Sequence, residues 1–286
     1  MVKTLFNRAM RHMLFVAQRH PEISDRWGYH IRPIHYYEPL PDFQSITSEQ
    51  LERRREFPSI DFQWDDQLRL LNELAINFRN ELDNADFEND YFSGFDAAVY
   101  YALIRLLKPK RVIEIGGGYS TRIAHRALSR NGPNGRLTCI EPNPDERLNG
   151  LNIYLVQKRV EEVDLDYFLQ LEANDILFID SSHTVKFGSD VCYEFLDVLP
   201  NIKPGVWVHV HDIFFPHDYP AEWILKRRLA LNEQYLLEAF LSFNREFQVA
   251  LANHWLTLDH RAAVNELWTG DSASSSFWFF RRQSSQ

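Results

Sequence analysis

Residues 111–121 carry the sequence Arg-Val-Ile-Glu-Ile-Gly-Gly-Gly-Tyr-Ser-Thr, in which a short apolar stretch runs directly into three glycines. The apolar stretch predicts a buried β-strand, and the residues after the glycines predict a helix. Three consecutive glycines allow the backbone to turn sharply between the two elements and let a ligand approach without meeting a Cβ atom. The stretch therefore predicts a strand–turn–helix unit with a ligand site at its turn.

Strands and helices alternate on either side of this unit. The other predicted strands are Leu137–Ile140, Ile153–Val156, Ile176–Ile179, Val206–Val210, Phe247–Leu251 and Phe277–Phe280. The predicted helices are Ala97–Leu107, Thr121–Leu128, Asp164–Leu171, Gly188–Leu199 and a long one over Ala221–Phe243. Short, uniformly apolar strands interleaved with helices predict a mostly parallel sheet covered on both faces. The fold class is α/β, an open and doubly wound sheet, and ligands of such sheets bind where the strands end.

The chain is predicted to divide near residue 90. Residues 1–90 form an N-terminal helical cap or lid, because Trp27–Asp42 is rich in Tyr, His and Pro and favours irregular structure, whereas Trp64–Leu82 has helical apolar spacing. Residues 91–286 form the ligand-binding domain, in which Ser272–Ser276 is a short polar run. We expect the aromatic part of the cap either to close over a substrate or to pack as a strap against the sheet edge.

Composition and charge exclude several classes of protein. The 286 residues are 45% hydrophobic, enough to bury a sizeable core, and their net charge of −9 would repel nucleic acid. No window approaches the roughly 18 uninterrupted apolar residues that a membrane span needs, so no membrane partner is expected. Cys139 and Cys192 lie in apolar runs without a disulfide or CxxC pattern, which favours a reducing, cytoplasmic setting.

The first 32 residues reverse the overall charge, with six Lys and Arg against Glu22 and Asp25. Basic, acid-poor and amphipathic N-terminal segments occur in transit peptides, but Met1–His20 lacks the serines that such peptides usually contain. We interpret the segment as a packed helix with a solvated basic face. A targeting or membrane-surface role is the alternative.

The glycine run departs from the dinucleotide-binding fingerprint GxGxxG. Thr121 stands at the third glycine position, and Glu114 lies inside the strand, where it disfavours a pyrophosphate but suits a cation. The pattern E-x-G-x-G-x-S/T resembles the first motif of the class I S-adenosylmethionine-dependent methyltransferases, and the carboxylate Glu141 at the end of the second strand supports the resemblance. The stretches Asp175–His183 and Gly205–Phe214 narrow it to methyltransferase domain family 24.

This resemblance implies that residues 91–286 form a Rossmann-like catalytic domain that binds S-adenosylmethionine. It implies that Glu141 accepts hydrogen bonds from the ribose hydroxyls of the cofactor and that Glu114 complements its cationic methionine end. The implied cofactor-binding residues are Glu114, Gly116, Gly117, Gly118, Tyr119, Ser120, Glu141 and Asp180.

Polar residues follow the fourth and fifth strands, at positions that a parallel sheet brings to one edge. They are Asp180, His183, His211 and Asp212. Methyl transfer to a hydroxyl or amine requires removal of a proton, and an imidazole with a pKa near neutral suits that task. His183 is the first choice as general base and His211 the second, with Asp180 beside them; a purely structural role for either histidine is the alternative. His209 lies one pleat back and is predicted to be a core histidine.

Whether a divalent metal ion binds at the same strand ends is a second open question. Metal-dependent small-molecule O-methyltransferases of the fold that the resemblance implies hold a cation between the fourth and fifth strands, and the matching positions here are Asp180, His211 and Asp212. A histidine ligand favours Mn²⁺, Fe²⁺ or Zn²⁺ over Mg²⁺. The alternative is that Asp180 contacts the cofactor or orients His183, and that Asp212 is a buried hydrogen-bond acceptor.

Motifs and resemblance together predict an S-adenosylmethionine-dependent methyltransferase that modifies a hydroxyl or amine of a small molecule, in secondary-metabolite or polysaccharide tailoring. One rival is a metal-dependent hydroxylase or other oxidoreductase on the same fold. The other is a non-catalytic scaffold that keeps the cofactor pocket and recruits partners. The sequence identifies neither the acceptor nor the oligomeric state, and a homo-oligomer is left open.

Overall fold

The computed structural model describes residues 2–83, 87, 89–271 and 273–283, without the side chains of residues 2–5. Within these residues one sheet contains the strands β1 (Arg111–Ile115), β2 (Arg136–Ile140), β3 (Tyr154–Val156), β4 (Ile176–Ile179), β5 (Trp207–Val210), β6 (Phe247–Ala252) and β7 (Phe277–Arg281). Their order is β3-β2-β1-β4-β5-β7-β6. β1 to β5 pair in parallel, and β7 lies antiparallel between β5 and β6. The predicted α/β class, a doubly wound, Rossmann-like and mostly parallel sheet, is confirmed.

Five α-helices of the described residues precede β1, and the others lie between or after the parallel strands. The helices are α1 (Val2–Arg19), α2 (Pro21–Asp25), α3 (Ser48–Glu52), α4 (Trp64–Leu82), α5 (Gly94–Leu107), α6 (Tyr119–Asn131), α7 (Leu165–Phe168), α8 (Asp190–Tyr193), α9 (Glu233–Leu241), α10 (Asn253–Asp259) and α11 (Arg261–Leu267). The helix predicted over Asp164–Leu171 shortens to α7. The helix predicted over Gly188–Leu199 starts as α8 and continues as a π-helical turn over Glu194–Val198.

The sheet is apolar on both faces because successive side chains of a strand point to opposite sides. Val112, Ile176, Phe178 and Trp278 belong to one buried layer. Ile113, Ile115, Leu177 and Phe279 belong to the other. On the first layer α5, buried from Phe95 to Ile104, packs with α4 and α6. With both faces covered, the edge formed by the strand ends is the part of the sheet left for a ligand.

The described chain separates into two compact units. One comprises residues 1–50 and 221–230 and contains α1 and α2; the other comprises residues 51–220 and 231–286 and contains the sheet. Helix α4 coincides with the predicted helix Trp64–Leu82 and belongs to the unit of the sheet. The boundary near residue 90 and the lid function of the N-terminal segment stay predictions.

The long helix predicted over Ala221–Phe243 is wrong, because α9 begins only at Glu233. Arg228 adopts a left-handed φ of +54°, which a continuous right-handed helix does not accommodate. Asn232 donates its backbone N–H to the carbonyl oxygen of His183 at 3.0 Å. The apolar spacing of the segment suits a helix, but a contact with a distant loop determines where the helix starts.

Helix α1 forms, but its apolar side is not packed. Phe6, Met10 and Met13 are exposed, whereas Ala17 is buried. The interpretation of this segment as a packed helix is therefore wrong for most of its apolar side. The irregular structure predicted over Trp27–Asp42 is confirmed. In the described part of the chain, no helix is long and apolar enough to cross a membrane.

Candidate functional site

The glycine turn after β1 is shaped by close packing against two neighbouring strands. Gly116 has a φ of +84°, and a Cβ atom on it would lie 2.1 Å from the carbonyl oxygen of Asp180. A Cβ atom on Gly117 would lie 2.3 Å from the Sγ of Cys139. Both distances are shorter than real contacts, so Gly116 requires glycine, and Gly117 has no room for a Cβ atom beside Cys139. The turn is therefore pressed against the ends of β2 and β4.

Helix α6 begins directly after this turn. The backbone N–H of Gly118 donates to the Oγ1 of Thr121 at 3.1 Å, which closes the first turn of the helix. Ser120 is buried there. The ring of Tyr119 stacks on Tyr91 with centroids 6.1 Å apart. The predicted residues from Gly118 to Ser120 are thus held in one ordered turn.

Glu114 lies inside β1 and is completely buried. The Tyr100 hydroxyl donates to its Oε1 at 2.8 Å, whereas its Oε2 has no hydrogen-bond partner among the described residues. Burial raises the pKa of Glu114 to about 7, although the hydroxyl groups of Thr121 and Tyr100 favour the charged form. A buried carboxyl oxygen without a partner is costly unless a donor or a cation approaches it.

Glu141 follows β2 and is half-buried. It accepts the backbone N–H of Gly117 at 3.3 Å and that of Asn143 at 2.8 Å, one on each carboxylate oxygen. Each oxygen of an ionised carboxylate has a second lone pair. The carboxylate is therefore oriented by the glycine turn and still able to accept hydroxyl donors, as the ribose of S-adenosylmethionine would require.

Asp180, His183, His211 and Asp212 lie together at the ends of β4 and β5. The Nε2 of His183 lies 3.3 Å from Asp180 Oδ1 and 3.4 Å from Asp212 Oδ2. The Nδ1 of His211 lies 3.5 Å from Asp180 Oδ1 and 3.4 Å from Asp212 Oδ1. Each imidazole therefore contacts both carboxylates. We call these four residues the His–Asp cluster.

The backbone is strained at two members of the His–Asp cluster. His183 has a φ of +55° and Asp212 a φ of +57°, in the left-handed region that non-glycine residues rarely adopt. Such conformations cost about 1–3 kcal/mol each and concentrate at functional sites. Both residues contribute side chains to the same set of contacts.

A residue that the sequence analysis missed holds His183. The Oε2 of Glu233, the first residue of α9, lies 2.7 Å from the Nδ1 of His183. Glu233 is completely buried, as is Glu194, which accepts a hydrogen bond from Ser181 at 3.0 Å. Burial and the charge of Glu233 raise the pKa of Glu194 well above its ordinary value. The predicted long helix concealed Glu233, because it placed this residue in a helix interior.

A second missed group supports His211 from the opposite side. The Ser275 hydroxyl lies 3.3 Å from the Nε2 of His211 and donates to Asp212 Oδ1 at 3.1 Å. Asp96 accepts the backbone N–H groups of Ser275 at 2.7 Å and Ser276 at 3.1 Å. A lone carboxylate at the start of an apolar helix was the available signal for Asp96. The polar run Ser272–Ser276 contained no comparable signal for Ser275. Ser272, the first residue of that run, lies outside the described residues.

The charges of the His–Asp cluster favour protonated imidazoles. Burial opposes the charge of His183, but hydrogen bonds with Asp180 and Glu233 raise its pKa well above its ordinary value. Burial opposes the charge of His211 as well, yet the carboxylates of Asp180 and Asp212 raise its pKa to about 9. Partial removal from water disfavours the charge of Asp180, whose side chain is 34% exposed, but both imidazoles hold its pKa well below its usual range. The cluster is an ion network with one open side at Asp180.

His209 is a core histidine, as predicted. It is completely buried, its ring stacks on Phe178 with centroids 3.9 Å apart, and its Nε2 lies 2.8 Å from the hydroxyl of Ser276. Burial and the charge of His211 lower its pKa well below its ordinary value, so its imidazole is neutral.

The cluster does not have the arrangement of a metal centre. Within the described residues, no group of three or more His, Cys, Asp or Glu side chains is placed so that it could hold a metal ion. One ring nitrogen of each histidine faces the carboxylates of Asp180 and Asp212, so the four side chains contact one another. The metal hypothesis for Asp180, His211 and Asp212 stays a prediction, and no step below depends on it.

A family model and a relative match this chain by sequence. The model of a methyltransferase domain, that of methyltransferase family 24, matches residues 113–213, which run from β1 past the end of β5. An uncharacterized protein of Archaeoglobus fulgidus is 30% identical over 167 residues, which cover 50% of this chain and 75% of that protein.

Two solved structures align over most of this chain at low identity. The O-methyltransferase TomG of Streptomyces achromogenes is 17% identical, with 74% of this chain and 90% of that chain covered and a TM-score of 0.44. An O-methyltransferase of Bacillus cereus is 14% identical, with 75% and 91% covered and a TM-score of 0.39. Identities this low say nothing about which residues of this chain bind a ligand. Residues 113–213 are therefore a methyltransferase domain of family 24, set in a sheet with the strand order β3-β2-β1-β4-β5-β7-β6.

Proposed function

We propose that this chain transfers a methyl group from S-adenosylmethionine to a hydroxyl group of a small molecule. The observation that carries the proposal is the adjacency of the glycine turn and the His–Asp cluster. Gly116 packs against the backbone of Asp180, and the backbone N–H of Asp180 donates to the carbonyl oxygen of Ile115 at 2.9 Å. A methyl donor bound at the glycine turn would therefore lie next to the His–Asp cluster, whose side chains can remove the proton of the acceptor hydroxyl.

On the donor side, we assign the cofactor to the residues from Gly116 to Ser120 together with Glu114 and Glu141. Glu141 has lone pairs for the ribose hydroxyls, and the buried Oε2 of Glu114, two residues before Gly116, has no hydrogen-bond partner among the described residues and favours a positive charge nearby. When bound, the cofactor supplies a methyl group on a positively charged sulfur. These residues bind and orient it, because in-line displacement depends mainly on position.

On the acceptor side, we assign the removal of the hydroxyl proton to His183 and His211. Methyl transfer breaks the carbon–sulfur bond, forms a carbon–oxygen bond and releases the hydroxyl proton. An imidazole in its neutral form accepts that proton as the carbon–oxygen bond forms. The contacts with Asp180 and Asp212 hold both rings in place for this proton transfer. We propose a hydroxyl as the acceptor group, because its proton is the one that a base must remove during the transfer.

The first experiment measures which ligand the protein binds. Thermal unfolding is compared with S-adenosylhomocysteine, S-adenosylmethionine and NAD(H), each with and without a chelator. A ligand at about 100 times its dissociation constant adds roughly 2.7 kcal/mol, which raises the midpoint by about 5 °C or more for a chain of this size. We expect the shift with the adenosyl-sulfur ligands alone. A higher unfolding midpoint with NAD(H) instead would indicate that the protein is an oxidoreductase.

Paired variants test the donor assignment. Glu141→Ala removes the proposed ribose acceptor and is expected to reduce the S-adenosylhomocysteine shift. Glu146→Ala, in the exposed turn that follows, is the matched control and should leave the shift unchanged. Equal shifts in the two variants would contradict the role of Glu141.

The acceptor assignment is tested with a labelled methyl donor and a panel of phenols and other hydroxylated metabolites. His183→Ala is expected to lower turnover about 100-fold or more with unchanged affinity for S-adenosylhomocysteine. His125→Ala, on α6 and outside the cluster, is the control. Turnover that survives His183→Ala would remove the residue from the mechanism, and turnover lost only on chelation would bring back the metal hypothesis.

We further propose a cytoplasmic setting and a small-molecule acceptor rather than nucleic acid. Cys139 and Cys192 are both free thiols, which suits a reducing compartment. The net charge of −9 disfavours a polyphosphate partner. A homo-oligomer stays open, and light scattering of the purified chain decides it.

A further inference from the structure

Helix α1 presents an apolar side that the described residues leave uncovered. Phe6, Met10 and Met13 are spaced by four and three residues, so they lie on one side of the helix. Their exposed fractions are 63%, 37% and 56%. Scattered exposed apolar residues need no explanation, but three large ones in a row along a helix mark an interaction surface.

The rest of α1 is strongly basic. Its 18 residues include Lys3, Arg8, Arg11 and Arg19 and no Asp or Glu, in a chain whose net charge is −9. Arg8 and Arg11 are exposed on the side away from Phe6 and Met13. On that side Phe15 is the one large apolar residue among the described side chains, and it lies under the guanidinium of Arg19 at 4.6 Å. A helix is about 10 Å across, so these charges stay within about one Debye length of any surface that the apolar side enters.

We propose that α1 docks on an anionic phospholipid bilayer. The helix lies in the plane of the interface, with Phe6, Met10 and Met13 among the upper acyl chains and the arginines in the field of the lipid phosphates. Large apolar side chains on one side of a helix and basic ones on the other are the pattern of helices that bind this way. The cytoplasmic leaflet is the anionic one. The proposal is independent of methyl transfer.

Charge favours a lipid surface over the α1 of a second copy. A surface that binds α1 must carry negative charge and have an apolar layer just below that charge. An anionic bilayer has both properties everywhere on its surface. A second α1 would instead bring like charges together, at a cost in free energy. The helix is also far from apolar enough to span, so its binding is reversible and peripheral.

Co-sedimentation of the full chain with vesicles tests the proposal. The probes are vesicles of phosphatidylcholine mixed with phosphatidylglycerol and vesicles of phosphatidylcholine alone. We expect binding to the anionic vesicles, weakening as salt is raised. At about 1 kcal/mol for each basic residue near the surface, the double change Arg8→Gln and Arg11→Gln should lower partitioning about 10-fold to 30-fold.

Apolar substitutions separate insertion from simple charge attraction. Phe6→Glu with Met13→Glu should abolish vesicle binding, whereas Leu196→Glu is a matched control, because Leu196 is 62% exposed in the other unit. All these side chains are exposed, so circular dichroism should report unchanged folding. Absent binding to anionic vesicles, or binding that survives the double change at Phe6 and Met13, overturns the proposal. Dimerisation that those changes abolish, without vesicle binding, overturns it in favour of a second copy.

Discussion

Replacing Glu114 by Gln isolates the effect of one buried proton on stability. The pKa of this carboxyl is about 7 in the folded protein and 4.5 ordinarily. The folded state therefore holds the proton more tightly than the unfolded chain does. Glu114 contributes stability that is fully present below about pH 4.5 and lost as the pH rises through 7. Gln has nearly the same shape and no proton to lose, so the variant lacks this dependence.

The size of the effect follows from the two pKa values. A tenfold difference in proton affinity is worth about 1.4 kcal/mol, so moving the pKa from 4.5 to about 7 corresponds to roughly 3 kcal/mol over the whole titration. Between about pH 5 and pH 8.5 the wild-type chain should lose roughly 2–3 kcal/mol of unfolding free energy relative to Glu114→Gln. Taking the difference between the two proteins at each pH removes the contribution of groups that titrate alike in both.

Urea unfolding at a series of pH values, with fluorescence as the signal, measures this difference. A gap between the two proteins that stays constant across the series would refute the assignment of a raised pKa to Glu114. Tyr100→Phe provides an independent check, because it removes the hydroxyl that donates to Glu114 Oε1 at 2.8 Å. Since that bond favours the charged carboxylate, its loss should move the drop in stability to higher pH.

Three further substitutions test packing and the support of the site, each by its free energy of unfolding. Gly117→Ala places a Cβ atom 2.3 Å from the Sγ of Cys139 and should cost about 1–3 kcal/mol; adding Cys139→Ala should restore much of the loss, and an undisturbed single variant would contradict the close packing. Leu71→Ala, at a completely buried position of α4, should cost about 2–5 kcal/mol, whereas Ile76→Ala on the same helix, 75% exposed, should change stability by less than about 0.5 kcal/mol. Asp96→Ala leaves the buried donors around it without an acceptor and should cost about 3 kcal/mol or more; a variant of wild-type stability would mean that water replaces the carboxylate.

The fold was predictable from local pattern because burial of a strand on both faces leaves a mark in a few residues. β1 and β4 begin and end where the apolar runs do, and the antiparallel β7 was recognisable as an apolar run although its direction was not. The glycine turn was predictable for a related reason. Its backbone must turn at once after a buried strand, and Gly116 does so with a left-handed φ.

The supporting half of the site was not predictable, because its contacts join residues far apart in sequence. Glu233 meets His183 across 50 residues, and Ser275 meets Asp96 across 179. A wrong helix start concealed the first contact, and a short polar run concealed the second. Neither residue has a neighbouring pattern that marks it, since a buried polar group is recognised by its partner.

The sequence by itself determined the sheet, the turn after β1 and the acids and histidines at the strand ends, because these depend on short-range periodicity and on where each strand stops. Tertiary structure alone decided that both imidazoles lie between the same two carboxylates, which raise the pKa of each ring. It also left the apolar side of α1 exposed, which helical spacing does not reveal. Periodicity fixes which side of an element is apolar, whereas the path of the whole chain decides what covers that side and which charges meet.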